Sequence, residues 1–560
     1  MYYYDILNKV IAVIRFMKNF QDLLLLFISR YKNSSATFYN QSIASSFTSI
    51  DFNTFVEKIC GAILLFKNLN LKQGSKICIM ADTSTNWLAV DIAAMSIGLV
   101  SVPLFKNASI EHIKMQISEM EPSCIFVQDY AGKNIVSNFI DKGKIFYISE
   151  LKNAMPESLI PFIKSLSVSS DMQATTIYTS GTTGNPSGVM LSHFNLISQI
   201  LSADKHFSLS RDDVAISFLP TAHVFQRMIC YLYLYKEVSI YFIHDYSSIA
   251  ERIKEIKPTL LTTVPRIFDK IFFKTLEQIK QKKWIQGFIA RLAFNYAVNH
   301  DPSKSHSILF YLYKTLVYSK VIDAFGGRVR MIISGGAKLD DTVYKFFYNI
   351  SLPIYQGYGM TETSPVIASN YPEFSKCLTV GKAFDGITTK ILEDGELCVK
   401  GPNVMLGYYK RPEKNIEAFT QDGFLRTGDI AKIDSEGYIT IINRKRDICK
   451  TSTGKFVDPN KLEFLLNQSN EIECSCVIAD GKPFASAILF VKNKNEDLIK
   501  KHINKINDGL EHHEQIKAFY ATNYKPSVQS GELTPSLKIR RFFIYEEFKE
   551  DINKMYQGNI

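Results

Sequence analysis

From about residue 50 onward the chain alternates two kinds of segment, and this alternation restricts the fold more than any other feature. Phe55 to Phe66 has helical spacing, Lys76 to Met80 is a short apolar run of strand length, and Asn86 to Ile97 is helical again. Val100 to Leu104 returns to strand, and Cys124 to Val127 follows a further helical segment. Strands that alternate with helices are laid down parallel, with helices covering both faces of the sheet. A layered α/β body is therefore predicted. At 560 residues the chain exceeds one ordinary core, so a second domain is expected.

Composition narrows the class. Hydrophobic content of 46% and charged content of 21% suit a globular protein. The formal net charge is +10, and the Lys and Arg are dispersed, so no nucleic-acid partner is implied; an anionic substrate and a membrane surface fit equally well. Nine cysteines are scattered without a CxxC pair, and Cys474 and Cys476 stand too close for zinc spacing. A reducing, cytoplasmic setting is the simple reading. No apolar run approaches the roughly 18–20 residues that span a bilayer. The early run Leu23 to Ile28 is far shorter, and no small-residue cleavage site follows it, so no secretory signal is expected.

Residues 1–32 read as one amphipathic helix. Asp5, Asn8, Lys9, Arg15, Lys18, Asn19 and Asp22 share one arc; Ile6, Val10, Val13, Ile14, Met17, Leu24 and Ile28 share the other. Such a helix either packs on its own domain or lies in a membrane interface, on the inner face of a membrane.

Tyr178-Thr179-Ser180-Gly181-Thr182-Thr183-Gly184-Asn185-Pro186-Ser187-Gly188 packs hydroxyls and glycines between a β-prone run, Ala174 to Ile177, and a new element that begins at Val189. Glycine lets a backbone turn and approach a ligand closely, and consecutive N–H groups with hydroxyls cradle phosphate. Composition alone fits a surface linker as well, and the Walker pattern is absent.

The order of these residues resembles the phosphate loop of the adenylate-forming superfamily, which includes acyl-CoA synthetases, luciferases and the adenylation domains of peptide synthetases. Further motifs follow in the family's order across roughly residues 50–545. The resemblance implies an α/β fold with a large N-terminal adenylate-forming domain, residues 1–446, of layered α/β and β-rich subdomains. A small mobile C-terminal α+β domain, residues 447–560, would follow. It implies that Thr179, Ser180, Gly181, Thr182, Thr183 and Gly184 meet the phosphates of ATP. The turn Gly335-Gly336-Ala337 and the run Gln356-Gly357-Tyr358-Gly359 with Thr361 would hold the adenine, Tyr358 by stacking. Asp429 and Arg444 would meet the ribose, a carboxylate being able to accept from both hydroxyls. Glu362 would hold Mg²⁺ with Thr179, since this ion takes one or two carboxylates beside phosphate oxygens and water.

Ser217 to Met228 resembles the long-chain acyl-CoA synthetase form of a family motif, which puts His223 beside the acyl carboxylate. Phe268 reads either as a border of the acyl tunnel or as core. Residues 270–320, rich in Phe, Leu, Ile and Tyr, read as a helical insertion of the long-chain type, or as a subdomain without ligand contact. Gly395 to Tyr409 reads as a β-rich scaffold. Leu533-Thr534-Pro535-Ser536-Leu537-Lys538 matches the mobile catalytic lysine, and Arg446 the hinge.

The implied activity is a two-step ligase. A fatty acid carboxylate attacks the α-phosphorus of ATP and releases pyrophosphate. The small domain then turns about Arg446, and the thiol of CoA expels AMP. Acyl carrier protein is the alternative acceptor, for which Thr453 in the Lys450 to Lys455 loop leaves room. A non-catalytic nucleotide-binding descendant is the competing class, against which stand Thr179, Glu362, Asp429, Arg444 and Lys538. The oligomeric state stays open. One residue departs sharply: Ser187 stands where the family carries a lysine. Losing a charge-assisted phosphate contact costs on the order of 1.5–3 kcal/mol, or roughly one to two decades of ATP capture. On sequence grounds, Ser187→Lys is expected to lower the KM for ATP.

Overall fold

The alternation is realised as two large, mostly parallel sheets that share one core. In the computed structural model, the described residues are 17–42, 46–179, 186–302, 304–305, 307–445, 449–527, 530, 532–533 and 539–557. The nine-stranded sheet runs, from one edge to the other, through 382–383, 366–369, 354–359, 331–334, 260–263, 214–217, 239–242, 37–41 and 47–51. Six consecutive strands are parallel, and the outer strands 366–369, 382–383 and 47–51 each pair antiparallel with the preceding one on their side of the sheet. The seven-stranded sheet runs 407–408, 187–192, 173–179, 100–103, 76–80, 124–127 and 145–147.

Successive strand residues face opposite ways, so each sheet feeds two cores. Ile77 and Ile79 join Ala215 and Ile240 in the large core between the sheets. Ile216, Leu261, Ile332 and Ile354 face the other way, into a second core under helices Pro265–Gln281, Trp284–Asn299 and Asp341–Asn349. Helices Thr85–Ser96 and Val224–Tyr235 lie in the shared core, and every residue of the second is buried. A helix that is buried on all sides is placed by being surrounded.

These two helices carry a buried ion pair. Arg227 Nε donates to Asp91 Oδ2 at 3.0 Å and its Nη1 to Thr175 Oγ1 at 2.8 Å, and Tyr231 donates to the same carboxylate. Neither charged side chain is exposed. Burial pulls the guanidinium pKa down, but the Asp91 charge outweighs it and holds Arg227 above its usual value.

A four-stranded antiparallel sheet, 388–391, 396–400, 425–433 and 439–444, forms the β-rich part. The chain ends in a smaller domain: a three-stranded sheet, 472–478, 485–491 and 516–522, flanked by helices Pro459–Leu466, Glu496–Asn507, Arg541–Glu547 and Lys549–Gln557. It touches the large domain where Phe464 meets Phe273 at 5.8 Å between ring centroids and Asn470 donates to Glu277 at 3.1 Å.

The single helix expected over 1–32 is corrected in its described part. Asn19 is extended (φ −149°, ψ 173°), and its side chain caps a helix Phe20–Arg30 by accepting from the Asp22 N–H. An asparagine whose side chain can take an N–H three residues on is a helix start, not a helix interior. The helix packs on its own domain: Phe20, Leu23, Leu24, Leu26 and Phe27 are buried, and Asn19 donates to the Val168 carbonyl at 2.9 Å. Residues 1–16 lie outside the described residues. The 270–320 stretch resolves into separate helices, Trp284–Asn299, Ile308–Tyr313 and Ser319–Asp323, after the long helix Pro265–Gln281. Phe268 is core, packed between Phe325 and Phe347. All nine cysteines are free, and no helix among the described residues is long and apolar enough to cross a membrane.

Candidate active site

The loop that the sequence singles out lies between two strands that pair with each other. Strand Gln173–Thr179 pairs antiparallel with strand Ser187–Ser192, and Thr179 lies opposite Ser187, with its hydroxyl donating to the Ser187 carbonyl at 3.4 Å. Ser180, Gly181, Thr182, Thr183 and Gly184 fall outside the described residues. The other edge of the second strand pairs with Gly407–Tyr408, Tyr408 lying opposite Val189, and the Tyr409 N–H donates to the Gly188 carbonyl at 2.8 Å.

Glu362 is fastened to this hairpin. It sits in a 3₁₀ turn, Thr361–Thr363, after strand Ile354–Gly359. The Met405 N–H donates to its carbonyl at 2.9 Å, and the Tyr408 hydroxyl donates to its Oε1 at 2.8 Å. The side chain is only 8% exposed. A carboxylate this buried needs a partner for its charge, and a tyrosine hydroxyl aims it without neutralising it. Among the described residues no group of three or more His, Cys, Asp or Glu forms a metal cage. A single aimed carboxylate fits Mg²⁺, which takes its other ligands from phosphate and water. Gly359 makes the turn possible. A Cβ there would lie 1.7 Å from the Pro365 carbonyl oxygen, so the approach of its own chain already requires glycine.

Beside Glu362 the structure adds a cation that sequence reasoning missed. Lys414, on helix Pro412–Ala418, donates to the Ser187 hydroxyl at 2.9 Å, and its ammonium sits 4.1 Å from the centroid of the Tyr408 ring. Ser187, Lys414, Tyr408 and Glu362 form one connected row. The lysine expected at position 187 is absent, and the Lys414 ammonium, carried on another element, stands at hydrogen-bond distance from the Ser187 hydroxyl.

A second group forms on the four-stranded sheet. Asp429 and Arg444 are register partners on neighbouring strands, with Arg444 Nε 3.4 Å from Asp429 Oδ1. The Tyr358 hydroxyl donates to Asp429 Oδ2 at 2.5 Å. Burial, then the Asp429 charge, holds the Tyr358 pKa well above its usual value, so it stays a donor. Tyr358 is four residues from Glu362, so the two groups are joined by one short run of chain.

The third group is the turn Gly335-Gly336-Ala337. It follows strand Met331–Ser334, whose Ser334 is paired with Gln356. Gly336 has φ +82°, which favours glycine. A Cβ at Gly335 would come within 3.0 Å of the Phe225 ring, which brings the 217–228 motif against this turn. His223 caps helix Val224–Tyr235 and is half-buried; its Nδ1 accepts from the Phe225 N–H at 3.3 Å, so a neutral ring carries its proton on Nε2. Lys538 and Arg446 lie outside the described residues; Leu533 and Ile539, on either side of the Lys538 segment, form an antiparallel bridge. The Lys450 to Lys455 stretch is a tight turn in which Thr451 and Thr453 hydroxyls meet at 2.9 Å.

The family model described as AMP-binding enzyme matches residues 29–409, and the model described as AMP-binding enzyme C-terminal domain matches residues 446–559. The chain is 30% identical to the long-chain-fatty-acid–CoA ligase FadD15 of Mycobacterium tuberculosis, over 92% of this chain and 94% of that one. It is 28% identical to fatty acyl-CoA synthetase A of Dictyostelium discoideum, over 87% of this chain and 83% of the other. Among solved structures, it is similar to the A domain of a carboxylic acid reductase from Segniliparus rugosus, in complex with AMP and a co-purified carboxylic acid. That likeness has a TM-score of 0.76 at 20% identity, over 98% of this chain and 96% of that one. ATP-bound MatB from Rhodopseudomonas palustris aligns with a TM-score of 0.70 at 21% identity, over 95% and 99%.

Proposed function

Since the chain belongs to the AMP-binding enzyme family, we propose that it is a long-chain fatty acid–CoA ligase that works through an acyl-adenylate. The observation that carries the reading is the row Ser187–Lys414–Tyr408–Glu362 along the hairpin that bears the phosphate loop. It sets a cation over the ring of Tyr408 and an aimed carboxylate on the hydroxyl of the same side chain. The curated relatives named as fatty acyl-CoA ligases, matched over most of the chain, support the substrate class.

In the first step an oxygen of the fatty acid carboxylate bonds to the α-phosphorus of ATP, and the bond to pyrophosphate breaks. This needs positioning and charge neutralisation rather than covalent help from the protein. Thr179 and the loop 180–184 hold phosphate oxygens. Lys414 adds its charge at the Ser187 end. Asp429, held by the Tyr358 hydroxyl, receives the ribose with Arg444, and the turn 335–337 with Gln356 and the Tyr358 ring borders the base. Glu362 would hold Mg²⁺, which supplies charge neutralisation at the phosphates when bound. Lys538 would place a point charge at the reacting oxygens. His223, at the mouth of helix 224–235, stands by the acyl carboxylate. In the second step the thiolate of CoA attacks the acyl carbonyl, and AMP leaves with the electron pair of the broken carbon–oxygen bond.

The test is thioester formation from straight-chain acids, butyrate to arachidate, with CoA or acyl carrier protein as acceptor. The reading expects acyl-CoA from the long acids. Product only with carrier protein would move the acceptor to a protein-borne thiol, and product only from short acids would overturn the substrate class.

A further inference from the structure

Helix Trp284–Asn299 is apolar on the side that packs and, over its first half, on the side that does not. Ala290, Ala293 and Ala297 face the second core, small enough for close packing against helix Asp341–Asn349, and Gly287 is buried against the Lys282 backbone. On the opposite face Trp284, Phe288 and Leu292 are exposed, Trp284 to 88%. Helix Ile308–Tyr313 and the turn after it lie alongside, tied by the Tyr318 hydroxyl to the Ala293 carbonyl at 2.7 Å and by the Tyr296–Tyr313 ring contact. Their outer face repeats the pattern, with Ile308 exposed to 86%, and Leu312 and Leu316 exposed as well. Scattered exposed apolar residues are ordinary, but a run of them on each of two helices that pack side by side is not.

The rim of this face is basic. From Lys280 to Lys320 the sequence has seven Lys or Arg and one acid, Asp301, an excess of six within a chain whose whole net charge is +10. Lys282, Lys283, Arg291 and Lys314 are exposed around the apolar face. Two local features work against the helix itself. Lys283 occupies the N-cap without a capping hydrogen bond, where an acid or hydroxyl residue would stabilise the helix and a cation opposes its dipole. Trp284 sits in the left-handed region, φ +59°, which a bulky residue seldom takes. Neither helps this helix form, and both put a cation and an aromatic ring at the protein's edge.

We propose that this face, centred on Trp284, Phe288 and Ile308, docks the protein on an anionic lipid bilayer, with the apolar side chains in the interface and the Lys and Arg rim on the headgroups. An apolar face with a basic border is the composition that binds such an interface without spanning it. The inference stands apart from the catalytic reading, since none of these residues belongs to the candidate active site. It places membrane contact on the 284–316 helices; the described part of the N-terminal helix is buried in its own domain.

The full chain supplies its own reporter. It has two tryptophans, and Trp87 is fully buried, so a change in emission on binding reports Trp284. Vesicles of phosphatidylcholine with and without phosphatidylglycerol would be titrated into wild type and into the variant F288E/I308E/L312E. The substituted positions are exposed, so the variant should unfold at the wild-type temperature. The expected result is a blue shift and co-sedimentation with the anionic vesicles, weakened at least tenfold in the variant and at least tenfold without phosphatidylglycerol. Equal binding by the variant, or no blue shift on sedimenting vesicles, overturns the proposal. So does a fall in molecular mass of the variant by sedimentation velocity, which would make the face a contact between copies. Loss of binding on deleting residues 1–16, with the variant binding normally, would move the contact to that segment.

Discussion

Lys414→Met removes a positive charge while keeping an apolar stem over the Tyr408 ring, so it isolates the charge. The Lys414 ammonium is 2.9 Å from the Ser187 hydroxyl, on the strand that leaves the phosphate loop. A charge-assisted contact to phosphate contributes on the order of 1.5–3 kcal/mol, so the KM for ATP should rise about 10- to 100-fold. The assay is fatty-acid-dependent exchange of pyrophosphate into ATP at varied ATP. The place of Lys414 also leads to the opposite prediction for Ser187→Lys from the one drawn on sequence grounds. A second ammonium beside Lys414 meets like-charge repulsion, between about 1 kcal/mol in water and about 4 kcal/mol at an effective dielectric near 20 for charges 4 Å apart. Ser187→Lys alone should therefore raise the KM, and Ser187→Lys with Lys414→Met should recover most of what Lys414→Met loses. An unchanged KM in Lys414→Met, or a double variant no better than Lys414→Met, would refute the idea that Lys414 serves the loop.

Three further outcomes are expected. Arg227→Met leaves the Asp91 carboxylate buried without its cation and should destabilise the fold by about 3–5 kcal/mol in urea denaturation; adding Asp91→Leu should restore most of that, and a Met variant as stable as wild type would contradict the buried pair. Tyr408→Phe removes the donor to Glu362 and should lower exchange by about 5- to 10-fold, from roughly 1–1.5 kcal/mol, with a shifted Mg²⁺ dependence; an unaltered Mg²⁺ profile would count against Tyr408 aiming the carboxylate. Burial and the neighbouring Asp340 push the Asp269 carboxyl up to about 7. Its folded pKa lies above the unfolded value, so stability is full at low pH and falls as pH rises from about 4 through about 7. Asp269 is half-buried, so the loss should be on the order of 1–3 kcal/mol. Asp269→Asn should flatten the dependence of Tm on pH over that range, and a wild-type Tm equal at pH 5 and pH 8 would contradict the shift.

What the sequence made legible were the parts set by short-range chemistry. Strands Lys76–Met80 and Cys124–Val127 fall where the apolar runs predict them, because four or five buried residues bounded by turns leave little choice. Thr179, Glu362, Tyr358, Asp429 and Arg444 each sit inside a dense motif, and the fold brings them into two adjoining groups. Strand order was not legible. The hairpin 37–41 and 47–51 joins the large sheet beside 239–242, about two hundred residues away in sequence, and nothing local encodes that pairing. The break at Asn19 was legible but outweighed: Asn19 with an N–H partner at Asp22 is a capping pattern, and the periodicity of apolar residues ran straight through it. Lys414 was hidden for a different reason. It is the single lysine of a short helix that matches no motif, and only the fold carries it across 227 positions to Ser187. The sole clue in the sequence was the missing charge at Ser187.

The central claim is adenylation, and the most direct measurement is exchange of pyrophosphate into ATP, dependent on a long-chain fatty acid, with Lys538→Ala beside the wild type. The account predicts exchange that requires the acid and Mg²⁺ and is lost in the variant, while thermal stability is unchanged. No exchange with any fatty acid at saturating ATP and Mg²⁺, or exchange as fast in Lys538→Ala as in wild type, would contradict it.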